Sequence, residues 1–229
     1  MNYATRSPRL TEVALSGRSV RRAADNLKAE KSRNAEIGIK YNLNQALSVN
    51  ASYFNQQIKD IQAVRNNIYY NGGTLKNSGY EASTAYSMSG LTARVGVAYN
   101  KPKLDGASLD SIVTAIPMGR TWTTGLSYRF DNPNLELGWR GRYVQRSNYD
   151  TSTDQRGSGG SNVNRPGYGV NDIYANWKPT GKDDLNINLS VNNVGNKLYK
   201  PHSQRSSSVN GSSLPETGRD FRLGVNYRF

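Results

Sequence analysis

Few side chains in this sequence are equipped for covalent or acid–base chemistry. There is one histidine, His202, and no cysteine in 229 residues, so neither a thiolate centre nor a histidine cluster can be assembled from the chain itself. No carboxylate pair, Ser–His arrangement or phosphate-cradling glycine loop stands out. A hydrolytic site would need an acid–base dyad, and a lone histidine in a polar stretch without an obvious Asp partner does not supply one. The expectation is a protein that is not an enzyme and has no resident cofactor or metal.

What remains is binding chemistry. Arg18, Arg21 and Arg22 crowd the segment LSGRSVRRAAD at 15–25, and guanidinium forks pair well with the carboxylates of an anionic ligand. Tyr69 and Tyr70 stand beside the turn signal Asn71-Gly72-Gly73, where they could stack on a planar ligand or simply belong to an interfacial belt. His202 could reach an iron ion from the last long polar stretch, although a solvated loop histidine is the plainer reading. The net charge of +13 is spread along the chain rather than clustered. That argues against nucleic acid and for anionic lipid head groups or an anionic ligand.

The elements that must carry these residues are strands. Phe221, Leu223, Val225, Tyr227 and Phe229 share one face, with Asp220, Arg222, Gly224, Asn226 and Arg228 on the other, the period of two that a strand imposes. The same alternation runs through Ala35–Tyr41, Leu47–Tyr53, Tyr80–Met88, Leu91–Tyr99, Trp122–Phe130, Leu135–Tyr143 and Leu185–Val191, and more loosely through 3–14. Between Val170 and Ile173 the apolar phase shifts, which suggests a β-bulge near Asn171-Asp172. Gly38, Gly79, Gly96, Gly138 and Gly224 recur on the polar faces, where backbone must coil or approach closely.

About ten strands follow, and their connections alternate between short (42–44, 89–90, 131–134, 179–183) and long (15–31, 56–75, 102–118, 148–166, 197–218), the 148–166 stretch reading as a long mobile loop. A soluble sandwich has no reason to segregate loop length in this way, but an outer-membrane β-barrel does. Tyr41, Tyr53, Tyr99, Tyr128, Phe130, Tyr143, Trp177, Tyr227 and Phe229 end the apolar faces as a girdle would. Glu36, Lys40, Arg94, Arg140, Arg142, Arg222 and Arg228 lie on the opposite faces, which only a wet interior could hold. Only 35% of residues are hydrophobic and mean hydropathy is −0.74, compatible with membrane strands of about ten alternating residues. The fold class expected is therefore all-β, an antiparallel transmembrane β-barrel. The opening MNYATRSPRL has no apolar export segment, which reads as either a cytoplasmic start or a piece of a longer precursor.

Three stretches go beyond generic patterning. RSPRLTEV at 6–13 followed by NLKAEKSRNAEIGIKYN at 26–42, NNVGNKLYKPH at 192–202, and LPETGRDFRLGVNYRF at 214–229 resemble, in order and spacing, the signatures of TonB-dependent outer-membrane receptors. The resemblance implies a barrel of about 22 strands with an N-terminal plug. Residues 1–229 would be its last ten strands and five outer loops, the plug and the first half of the barrel being absent. It implies the outer membrane of a Gram-negative bacterium, coupling to the TonB system through the plug, contact with outer-membrane lipid, and recognition by the barrel-assembly machinery at Tyr227 and Phe229. The RSPRLTEV and NLKAEKSRNAEIG stretches look most like those of receptors for haem or haem carriers, which makes haem or a haem carrier the favoured transported ligand; a ferric siderophore is the alternative, because the 15–25 arginines suit haem propionates or an anionic siderophore equally and no iron-ligating histidine stands in that loop. Glu12, Glu30 and Glu36 would satisfy arginines on the wall, as would Asp172. A translocator barrel or a ten-strand outer-membrane protease are distant alternatives.

Overall fold

The computed structural model describes residues 1–8, 22–65, 68–105, 118–150, 162–182, 184–203 and 215–228. In chain order the strands are β1 (Asn2–Arg6), β2 (Arg22–Ala23), β3 (Glu30–Asn42), β4 (Leu47–Lys59), β5 (Gln62–Arg65), β6 (Ile68–Asn71), β7 (Thr74–Met88) and β8 (Leu91–Asp105). They continue with β9 (Thr121–Phe130), β10 (Leu135–Val144), β11 (Ser147–Asp150), β12 (Asn162–Arg165), β13 (Tyr168–Trp177), β14 (Leu185–Asn192) and β15 (Asp220–Tyr227). Ten of them form one antiparallel meander in the order β1-β3-β4-β7-β8-β9-β10-β13-β14-β15. Among the described residues β1 and β15 are its two open edges, so the chain forms part of a barrel wall.

Alternation becomes two chemically distinct faces. Cross-strand partners such as Leu137 and Tyr128, Trp139 and Leu126, and Leu189 and Leu223 share the outward face. Ile37 there is 75% exposed and Leu223 68%, an area of bare apolar surface that water would penalise and hydrocarbon accepts. Among the described residues no helix is long and apolar enough to cross a membrane; strands do the crossing. The inward face carries Arg94, Arg140, Arg142, Arg222 and Glu136, and an exposed cation moved to the lipid side at mid-membrane would cost about 2–4 kcal/mol.

The connections segregate by length as the alternation implies. Gly90 makes the β7–β8 turn possible with a φ of +83°, and a Cβ there would strike the Arg129 carbonyl. At the other end the long connections hold structure of their own. β2, β6 and β5 form a three-stranded sheet, and β11 pairs with β12 in a hairpin that occupies both ends of the stretch read from sequence as a mobile loop.

One expectation is corrected. Residues 168–177 pair one-for-one with 135–144, and Ile173–Trp177 pair one-for-one with Ile187–Val191, so there is no bulge at Asn171-Asp172. The phase shifts because Tyr168 and the buried Val170 face inward, beneath the loops, while Ile173, Ala175 and Trp177 face out. Asn171 then falls on the outward face, where its carboxamide oxygen accepts the Trp139 indole N–H at 3.2 Å and the Tyr143 hydroxyl at 3.0 Å. Trp139 and the girdle residue Tyr143 thus keep a polar side chain satisfied on the outward face.

Candidate functional site

The inward side of the long-loop end is the part of the molecule with binding chemistry, and two separate clasps shape it. The first is apolar. Ile61, Ala63 and Leu75 are buried, with Ile58, Tyr70 and Leu104 packed around them, so β5 and β6 lie against the inner faces of β4, β7 and β8. Glu30 ties this unit to β1: its Oε2 lies 2.7 Å from Arg6 Nε and its Oε1 accepts the Gln62 backbone N–H at 2.7 Å.

The second clasp is polar and centres on His202. The ring is 2% exposed. Nδ1 accepts the Gly119 backbone N–H at 3.2 Å, which leaves the proton on Nε2 to be donated to the Pro166 carbonyl at 3.0 Å. Tyr168 meets the imidazole edge-on at 5.6 Å and stacks on Tyr199 at 4.4 Å. Arg165 donates to the His202 carbonyl. One imidazole therefore links the connections before β9, between β10 and β13, and after β14. Burial pushes its pKa below the ordinary 6.5, and the Arg165 charge acts in the same direction against the Pro166 hydrogen bond.

The NNVGNKLYKPH segment folds to present this ring. Asn193 and Asn196 both take φ of +50°, a region asparagine tolerates better than most residues. The Asn193 side chain closes on Lys197 through two bonds of 2.8 and 2.9 Å, and Asp172 accepts the Asn193 N–H at 2.7 Å.

Beneath the second clasp lies a cavity of about 440 Å³ whose charged lining is Arg140, Arg142, Arg222, Asp172, Asp220 and Glu216. Arg142 donates to the Tyr199 hydroxyl at 3.2 Å, and Arg140 sits 4.8 Å over the Tyr174 ring. That ring covers Gly138, where a Cβ would come within 2.2 Å of it, and its hydroxyl donates to Glu136 at 2.9 Å. Arg222 is paired with Asp220 and Arg142 spends one arm of its fork on Tyr199, so Arg140, held over the Tyr174 ring, is the guanidinium best placed to meet a carboxylate or a phenolate.

The candidates read from sequence do not converge on one point. Arg22 opens β2 and pairs with Ile68, and Ala23 and Ala24 follow beside Tyr69; Arg18 and Arg21 lie outside the described residues, as do Glu12 and Phe229. Tyr70 packs into the apolar clasp, and Tyr69, opposite Val64, is on the other side of the small sheet. His202 is buried rather than solvated, with both ring nitrogens engaged. Glu30 does satisfy a wall arginine, Arg6, Glu36 stands exposed on β3, and Tyr227 ends the outward face of β15. Tyr168 and Tyr199 were not singled out; the phase shift at Val170 was the sequence signal for the first.

A receptor β-barrel model, described as TonB dependent receptor-like, matches residues 2–194. The TonB-dependent heme receptor A of Haemophilus influenzae is 25% identical over 158 residues, 66% of this chain and 20% of the relative. The FrpB iron transporter from Neisseria meningitidis (F3-3 variant) superposes with a TM-score of 0.85 at 47% identity, covering 100% of this chain and 36% of that one. The copper transporter OprC, at 20% identity, shares the fold with a TM-score of 0.76 over 99% of this chain and 36% of its own. The chain thus spans about a fifth of the haem receptor and about a third of the two transporters. With ten meandering strands, an apolar outward face and a charged inward one under that match, the chain belongs to the family of TonB-dependent receptor-like β-barrels.

Proposed function

We propose that this chain is the C-terminal wall and outer-loop part of an outer-membrane receptor that takes up an iron compound, haem or a haem carrier, with energy from the TonB system reaching it through a plug that the wall encloses. The observation that supports the reading is the inward cavity lined by three arginines and three carboxylates beneath the long connections, set in a chain whose relatives are named for haem and iron. Ligand captured by the loops would meet Arg140, Arg142 and Arg222 before the lumen opens. The family is one of transport receptors rather than enzymes, and His202, with both nitrogens hydrogen-bonded to backbone, is not placed to act as a base.

A ferric siderophore is favoured by that same observation about His202: the clasp offers no free imidazole for iron, while the guanidiniums suit any anionic chelate. Growth of a strain lacking the gene, with haemin or a ferric siderophore as the only iron source, separates the two. Loss on haemin alone supports the haem reading, loss on the siderophore alone transfers the proposal to siderophores, and growth on both overturns it. The outward Tyr227 at the end of β15 would serve barrel assembly, and Tyr227→Ser with Phe229→Ser should lower the folded amount in the outer membrane.

A further inference from the structure

A second charged surface lies on the outward side of the wall, away from the cavity. Tyr53, Tyr80 and Tyr99 are consecutive register partners on β4, β7 and β8, with the Tyr80 and Tyr99 rings 5.9 Å apart, and they mark the upper limit of the apolar band. Beyond that row every second residue still points outward. Among those positions, with the neutral Ala35, Asn55, Gln57 and Ser78 between them, are Lys31 and Arg33 on β3, Lys59 on β4, Lys76 on β7, and Lys101 and Lys103 on β8, all six exposed. Lys31 and Lys59 lie six residues past the row and highest; Arg33, Lys76, Lys101 and Lys103 lie two to four residues past it, which at a rise of about 3.3 Å per residue and a tilt of about 40° is roughly 5 to 10 Å higher along the membrane normal. That is the depth of lipid head groups.

The sidedness is not a matter of general basicity. On β4, β7 and β8 the inward-facing residues at the same heights, Gln56, Ile58, Leu75, Asn77, Asn100 and Leu104, carry no charge, and on β3 the inward Glu30 is paired with Arg6. Arg33, Lys76, Lys101 and Lys103 rim a depression of about 610 Å³ floored by small residues, Ala35 and Ser78. Asp105, which pairs with Lys76 at 2.8 Å, is the carboxylate that register places beside them. Arg120, over the Tyr99 ring at 5.5 Å, adds a cation at the margin.

We infer that this depression is a docking site for the phosphate groups of an outer-leaflet lipid. The inference rests on the outer-membrane reading above, because only there does this face meet phosphate at that height. Each lysine near an anionic membrane surface is worth about a fivefold gain in binding. A lipid seated here would fix the wall's depth at the very strands that carry the apolar clasp.

The test uses the whole receptor purified from outer membranes and placed in nanodiscs containing a bis-phosphorylated glycolipid or its dephosphorylated form. Wild type should prefer the phosphorylated lipid by tenfold or more, and Lys76→Ser/Lys101→Ser/Lys103→Ser should lose about a hundredfold in affinity for it. The inward pair Arg140→Ser/Arg142→Ser should retain wild-type lipid binding even if uptake falls. Equal binding of the two lipids by wild type overturns the inference by itself, whether or not the triple variant folds, and so does a folded triple variant that binds as wild type does. Failure to find the protein in the outer membrane overturns both this inference and the functional reading, whereas normal iron uptake with equal lipid binding overturns this one alone.

Discussion

β3, β4, β7 and β8 run for 13, 13, 15 and 15 residues, while β9, β10, β13, β14 and β15 run for 10, 10, 10, 8 and 8. Ten residues are about what a tilted strand needs to cross hydrocarbon, so the first group projects beyond the membrane and the second stops near its edge. Where the strands project, the wall supports an apolar clasp on its inner side and a basic rim on its outer side. Where they stop, three connections must hold one another, and they do so through a buried imidazole. One end of this wall is therefore held by two kinds of force: hydrophobic packing that tolerates pH change, and a hydrogen-bonded clasp that does not.

The largest expected effect tests the apolar side. Leu75 is 2% exposed in the centre of its cluster, and Leu75→Ala should cost about 2–5 kcal/mol locally. Protease cleavage within 60–73 should rise steeply, while cleavage within 193–219 stays unchanged. Equal effects at both places would mean that the two clasps are one cooperative unit.

His202→Ala breaks the comparison from the other side. It strips the Gly119 N–H and the Pro166 carbonyl of their partner, and an unsatisfied buried group costs about 1–3 kcal/mol. The expected outcome is faster hydrogen exchange at Gly119 and faster cleavage in 193–219, with the Leu75 region unaffected.

A smaller effect should follow from acid alone. Because the folded state lowers the His202 pKa from 6.5, the unfolded clasp takes up a proton first as pH falls. The clasp is thus at full strength above about pH 6.5 and weakens as pH drops from there toward the lowered folded value. Hydrogen exchange at pH 7.5 and 5.5, corrected for intrinsic rates, should show opening of the His202 region at the lower pH and constancy of the aliphatic Ile61–Ala63–Leu75 region. The His202→Ala variant should lose the difference.

The wall was legible because lipid and water impose one rule on every strand, and a period of two survives any detail of packing. Leu137, Trp139 and Ile173 announce their face by type alone. The rule lapses above the membrane. Lys31 and Lys59 are as polar as the inward Ser32 and Gln56, so the strand ends at 30–31 and 56–59 read as loop. Inside the roof the pattern reverses: Leu75, Leu104 and Val170 turn apolar residues inward, which mimicked a bulge at Asn171. β5 and β6, at four residues each, are too short to show a period. The role of His202 was invisible for a different reason, since its partners are backbone groups of two distant connections and leave no mark in residue type.

The smallest effect on stability separates the outer rim from everything beneath it. Lys76 and Asp105 form an exposed pair at 2.8 Å with side chains 57% and 59% accessible, and such pairs contribute about 1 kcal/mol or less. Asp105→Asn should therefore leave thermal unfolding of the receptor within that margin, and neither clasp should open. It does, however, remove the carboxylate that competes for Lys76, so affinity for phosphorylated lipid should rise severalfold and fall more steeply with salt. A rim that served only to keep the projecting strands solvated would show the unchanged stability without the gain in lipid binding. Nanodisc titration of Asp105→Asn at two salt concentrations distinguishes these outcomes, because solvation of the strands needs charge of either sign whereas phosphate needs positive charge alone.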